Sequence, residues 1–272
     1  VNNIQWKAVI MKKTALITGA TSGLGLSYAK YFADKGYDLI ITGRREAIIR
    51  KNADDLKKRF GVDVTVIIAE LSSREGVDFL LASIKGRGIA VLVNNAGFGL
   101  KPAFVDTEAK DIERILTLQT YCVVRLTHSI LKEMVRKNEG SIINISSDGA
   151  FAVMPHNVMY SSTKLFILNF TEGLHMELAN TNIHIQAVCP GFIDSHFHES
   201  AGMRVEKKKN GLFAFRSPDD LVTDAMRDFR KGVVVSVPDR GARLIRFFVK
   251  LMPRKMFYKK ISAFASSLSG GK

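Results

Sequence analysis

The chain has little cysteine, a shortage of acid and no long apolar run, and each lack narrows what it does. Of 272 residues only Cys122 and Cys189 are cysteine. Neither has a neighbour at metal-ligand spacing, so a disulfide framework and a cysteine-held metal are excluded, and a reducing cytoplasm is the expected compartment. No apolar run reaches the roughly 20 residues of a membrane span. Residues 1–10 lack the apolar stretch and small-residue cleavage site of a signal peptide. They read as an N-terminal extension or a mis-called start ahead of Met11-Lys12-Lys13. The six histidines at 128, 156, 175, 184, 196 and 198 form no metal site, since His196-x-His198 has only Glu199 beside it. Asp and Glu total 26 against 40 Lys and Arg, a net charge of +14. Residues 240–272 hold nine basic residues and no acidic ones, so the tail carries most of the excess. An anionic partner, such as a membrane leaflet, an acyl carrier or a thioester phosphate, is one reading. A solvated helix face is the plainer one. No nucleic-acid partner is expected.

What is present is a hydrophobic content of 46%, enough for one large α/β domain. Short apolar runs at 13–18, 37–42, 62–69, 89–94, 140–146, 183–189 and 232–237 read as strands. Helical periodicity fills 24–35, 46–60, 73–85 and 158–179, with one or two helices across 107–138. Near-continuous apolar strands alternating with helices predict a doubly wound parallel sheet with helices on both faces. Ligands then bind at the carboxyl ends of the strands. Residues 11–238 form the expected catalytic domain, with 239–272 a basic helical extension packed on it. The irregular stretch 194–217 reads either as a lid over the site or as an exposed connection.

The turn after the first strand carries Gly19-Ala20-Thr21-Ser22-Gly23-Leu24-Gly25. Glycine there lets the backbone approach a pyrophosphate, and the following helix offers unpaired N–H groups to it. The second strand ends in Gly43-Arg44-Arg45, where an NAD enzyme tends to carry a carboxylate. A guanidinium pairs a 2′-phosphate, so NADP(H) is the expected cofactor, with Ser22 adding a hydroxyl. The alternative is that both arginines solvate a helix start.

Tyr160 and Lys164, four apart in a helical stretch, share one face. A phenol titrates near ~10. A nearby ammonium is expected to lower that value and make Tyr160 an acid/base for a carbonyl oxygen. Ser147, thirteen residues upstream, is placed to steady the same oxygen. Phe151, Met154, His156 and Phe192 flank these residues and are the expected substrate pocket, suited to an apolar or acyl substrate.

Together with Asn94-Asn95-Ala96-Gly97 and Pro190-Gly191, these motifs resemble the short-chain dehydrogenase/reductases, over residues 13–237. The resemblance implies a Rossmann-type sheet of seven strands and a homodimer or homotetramer. It implies that Asn95, Ala96 and Gly97 border the adenosine half of the cofactor, with Glu70 and Leu71 beside the adenine. Pro190, Gly191, Phe192 and Ile193 then cover the nicotinamide, and Ser195 stands where the family often has threonine. Lys164 also holds the ribose hydroxyls. Ser146 rivals Ser147, but its spacing is one residue off the family pattern. Gln119 stands where the family has a relay asparagine, which keeps the amide and moves it by one methylene. More loosely, residues 243–252 (RLIRFFVKLM) and their surroundings resemble a ketoacyl and steroid reductase subgroup. That stretch is also a basic amphipathic segment, either a surface-seeking helix capable of peripheral membrane contact or a cover for the cleft. The expected function is NADPH-dependent reduction of a ketone or β-ketoacyl group. The alternative is a catalytically impaired NADP(H)-binding sensor or membrane-surface scaffold.

Overall fold

The computed structural model describes residues 12–100, 102–152, 155, 157–194 and 215–268. Three expected site residues, Met154, His156 and Ser195, lie outside that set, as do residues 1–10 and most of 194–217.

Runs rich in Val, Ile and Leu suit a pleated surface buried on both sides. They form β1 (Thr14–Thr18), β2 (Asp38–Gly43), β3 (Val64–Ile68), β4 (Ile89–Asn94), β5 (Gly140–Ile145), β6 (Ile183–Val188) and β7 (Val235–Ser236). The strands pair in the order β3-β2-β1-β4-β5-β6-β7, every pair parallel. The order reverses between β1 and β4, which opens a crevice at their carboxyl ends. Within the described residues the helices are α1 (Gly23–Asp34), α2 (Glu46–Phe60), α3 (Arg74–Ile84), α4 (Ala109–Leu116), α5 (Cys122–Lys137), α6 (Val158–Glu177), α7 (Pro218–Arg230), α8 (Arg240–Leu251) and α9 (Arg254–Leu268).

Alternation along each strand divides its side chains between two cores. Ala15, Ile17, Leu39 and Ile41 pack with Tyr28 and Phe32 of α1, Ile49 and Leu56 of α2 and Leu221 of α7. Leu16, Ile40 and Leu92 pack on the other face with Leu80 of α3 and Leu126 and Ile130 of α5. Burying each such side chain contributes roughly 1.5–3 kcal/mol.

The sequence reading foresaw the strands, though the last is shorter than expected. The single or double helix at 107–138 is α4 and α5 joined by a π-helical turn, Thr117–Tyr121. A helix at 218–230 has no counterpart in that reading, although its start signals are plain. The Ser217 side chain accepts from the Asp220 N–H, Pro218 opens the helix and two aspartates fill the first turn.

Candidate active site

At the crevice, the β1–α1 turn is fixed by the next strand in space rather than by its own side chains. Gly19 has φ of +70°, and a Cβ on Gly25 would lie 2.3 Å from the Gly19 carbonyl oxygen. Only glycine fits both demands, a left-handed backbone and a backbone-to-backbone approach. The Asn95 Nδ2 donates to the carbonyls of Thr18 and Gly19 at 2.9 and 3.2 Å. Thr18 Oγ1 in turn accepts from the N–H groups of Asn95 and Ala96 at 2.9 and 3.0 Å. Asn95 therefore braces the glycine turn. Ala20, Leu24 and Leu71 are core residues, so only their backbones remain to face a ligand.

The two arginines after β2 are exposed and held apart. Arg45 Nη2 donates to Thr21 Oγ1 and Ser22 Oγ at 2.7 and 2.9 Å. Arg44 Nη1 lies 3.1 Å from Glu70 Oε2. Burial pulls the Glu70 carboxyl upward, but Ser72 and Arg44 outweigh it and hold the group below its ordinary value. One guanidinium and two hydroxyls thus converge at the mouth of the turn, with a second guanidinium beside a carboxylate.

The other end of the crevice gathers ionisable groups out of water. Ser147 ends β5, and its Oγ accepts from the Gly149 N–H at 3.1 Å and donates to Asp148 Oδ1 at 3.0 Å. Ser146 turns the other way and donates to the Lys164 carbonyl at 2.7 Å, which leaves Ser147 as the serine facing the crevice. Lys164 is buried, and its Nζ donates to the Ile145 carbonyl at 2.8 Å, 5.5 Å from the Tyr160 ring centroid. Burial draws its ammonium down to about 8, with Cys189 opposing.

Tyr160 corrects the sequence expectation. Its phenol is raised, not lowered: burial dominates, and a hydrogen bond with Ser147 only moderates the rise. The Asp148 carboxyl is pushed up to about 6 by burial, against its bond with Ser147 and with the Asp239 charge adding to the rise.

Gln119 sits in the π turn, where one side-chain amide can be aimed inward without breaking the flanking helices. Its Nε2 donates to the Phe98 carbonyl and to Thr163 Oγ1, both at 3.2 Å. Its buried Oε1 accepts nothing from the described residues. A Cβ on Gly97 would lie 2.7 Å from that oxygen and 3.5 Å from Lys164 Nζ, so the two polar groups border one small space.

Sequence reasoning missed the carboxylates here. Asp239 Oδ2 accepts the Gly191 N–H at 2.8 Å. A Cβ on Gly191 would meet Asp148 Oδ2 and Asp239 Oδ2 at 3.5 Å each. Arg216 joins Asp239 to Asp224, with contacts of 3.9 and 2.8 Å. Asp148 could have been found by its place beside Ser147; Asp239 had no signal. Of the expected pocket, Phe151 lies under the Arg246 guanidinium, 5.1 Å from the ring centroid. Phe192 packs against Phe215, and Ile193 bridges to Arg216. Leu100, Pro102, Phe104, Val158 and Met159 line a cleft beside Tyr160 and were not anticipated.

The short chain dehydrogenase family profile matches residues 13–205. The very-long-chain 3-oxoacyl-CoA reductase of Anas platyrhynchos is 32% identical over 184 residues, 66% of this chain and 59% of the relative. The chain thus spans less than two thirds of that relative's length. The 3-oxoacyl-acyl-carrier-protein reductase FabG of Aquifex aeolicus (strain VF5) is 31% identical over 214 residues, 77% of this chain and 86% of the relative. A short-chain dehydrogenase from Sphingobium yanoikuyae, solved in complex with NADPH, superposes with a TM-score of 0.77 at 30% identity, covering 96% of both chains.

Proposed function

The chain belongs to the short chain dehydrogenase family of oxidoreductases, and on that premise we propose that it reduces an apolar ketone or β-ketoacyl group to the alcohol with NADPH. The observation that carries the reading is the convergence of Ser147, Tyr160 and Lys164 at the end of β5 and on α6. The crevice fits a phosphorylated dinucleotide. Gly19 and Gly25 let the backbone approach closely at those two positions, and Thr21 and Ser22 of the turn, with Arg45 beside it, offer donors. Arg44 and Arg45 would hold the 2′-phosphate, Asn95 would keep the turn open, and Lys164 would hold the ribose hydroxyls. When bound, the nicotinamide supplies the hydride.

The remaining work falls to three side chains. Ser147 Oγ, held by the Gly149 N–H, turns its one proton from Asp148 to the carbonyl oxygen as negative charge develops there. Tyr160 gives its proton to that oxygen: the phenol O–H bond breaks and the alcohol O–H bond forms. A phenol raised by burial keeps its proton at neutral pH, which suits a donor. Lys164 stabilises the phenolate left behind, and Gln119 Oε1, beside the same lysine, would accept from a water that carries the replacement proton inward. The cleft beside Tyr160 mixes Leu100, Pro102, Phe104 and Met159 with Thr107 and Asn157, and the choice of a ketoacyl substrate is supported by the oxoacyl substrates in the names of two relatives.

The test is NADPH oxidation against a panel of β-ketoacyl thioesters, ketosteroids and small aldehydes, with Tyr160→Phe alongside. Turnover of apolar ketones should fall by about 10²–10⁴ in the variant while NADPH binding stays within a few fold. Undiminished turnover by Tyr160→Phe overturns the mechanism. NADPH binding without turnover across the panel moves the chain to the sensor reading.

A further inference from the structure

Helix α8 divides into three faces. Gly241 and Ala242 are buried, and Ile245 and Val249 continue that side against the protein. Arg243, Arg246 and Lys250, at i, i+3 and i+7, form a second, exposed face, on which Arg243 donates to the Pro238 carbonyl and Arg246 lies over the Phe151 ring. Leu244, Phe247, Phe248 and Leu251, at i, i+3, i+4 and i+7, form the third. That third face is apolar, and it is open to solvent: exposures are 40, 59, 53 and 66%. Helix α9 continues the pattern. Phe257 anchors it in the protein, while Met256 and Tyr258 are exposed among Arg254, Lys255, Lys259 and Lys260.

A solvated helix face explains the charges but not the apolar stripe, which water disfavours. A second copy of the chain would cover the stripe but would bring two acid-free basic faces together. An anionic bilayer satisfies both, since the aromatic stripe enters the headgroup boundary and the basic face meets the lipid charges. No helix among the described residues is long and apolar enough to cross a membrane. We infer that α8 and α9 form a docking surface for an anionic lipid bilayer. The inference does not depend on the catalytic reading.

The full chain is sedimented with phosphatidylcholine vesicles, with and without phosphatidylserine, at low and high salt. It should bind the phosphatidylserine vesicles at low salt and release them at high salt. The double variant Phe247→Ser, Phe248→Ser should weaken binding by more than about tenfold. The triple variant Lys250→Gln, Lys255→Gln, Lys259→Gln should weaken it about a hundredfold, roughly fivefold for each lysine. Thermal melts of both variants should match the parent, because the substituted side chains are exposed. Failure of the parent to sediment with phosphatidylserine vesicles at low salt overturns the inference. Binding that ignores the phenylalanine pair also overturns it, leaving only diffuse charge attraction. A dimer seen by ultracentrifugation and dispersed by Phe247→Ser, Phe248→Ser, without lipid binding, assigns the stripe to a second copy instead.

Discussion

The two ends of the crevice are built on opposite terms. At the β1–α1 turn, Asn95 and Thr18 satisfy the backbone, the glycines leave no side chain in the way, and the arginines stay exposed. At the β5–α6 corner, burial works against the charged forms of Lys164 and Asp148 and holds the Tyr160 phenol neutral. The first end holds a ligand by shape at little electrostatic expense. The second trades stability for reactive groups, the usual mark of a chemical site.

Three substitutions would break or sharpen that contrast. The largest effect belongs to Gly25→Val. Its side chain meets the Gly19 carbonyl, which cannot move aside, so stability should drop by about 3 kcal/mol or more at every pH. Denaturant unfolding measures it, and a near-neutral result would mean that the turn is looser than its geometry.

Asp148→Asn should act with the opposite sign and depend on pH. The carboxyl rises from 3.8 to about 6 on folding, so the folded chain holds a proton that the unfolded chain has already released between those values. Stability therefore falls as pH rises through that window, and the deficit is complete above it. The asparagine removes it, with a gain on the order of 1–3 kcal/mol at pH 8 that vanishes near pH 4. Melting temperatures across that range decide the point; a pH-independent difference would dissolve the contrast.

The smallest effect is at the exposed arginines. Arg44→Ala or Arg45→Ala should weaken NADPH by about tenfold and leave NADH nearly unchanged, because solvent and salt screen these charges. Fluorescence titration with both coenzymes reads it, and equal losses would remove the 2′-phosphate argument.

The legibility of the sequence follows the same divide. The glycine turn was readable because its rule is local, spacing after a strand; its brace by Asn95, 76 and 77 residues away, was not. Strand alternation gave the parallel sheet for the same reason. The catalytic corner was readable only where one helix turn or one strand end placed residues together, as with Tyr160, Lys164 and Ser147. Asp239 reaches Gly191 across 48 residues, and no periodicity announces such a contact. The direction of the Tyr160 shift was misjudged because spacing says that a lysine is near, not that the phenol itself is buried. The π turn escaped because its side chains keep an ordinary helical pattern to either side.

Asp239 also decides where this molecule can be cut. By sequence it is the first residue of the basic extension, and a truncation that keeps the sheet intact would end just before it. Yet its carboxylate receives the Gly191 N–H, and Arg216 is shared between it and Asp224. A chain shortened to residue 238 would keep all seven strands and still lose the prop beneath its Pro-Gly turn, at about 1 kcal/mol or more for the orphaned amide. The folded unit therefore does not stop at the last strand; its contacts run at least one residue into the tail.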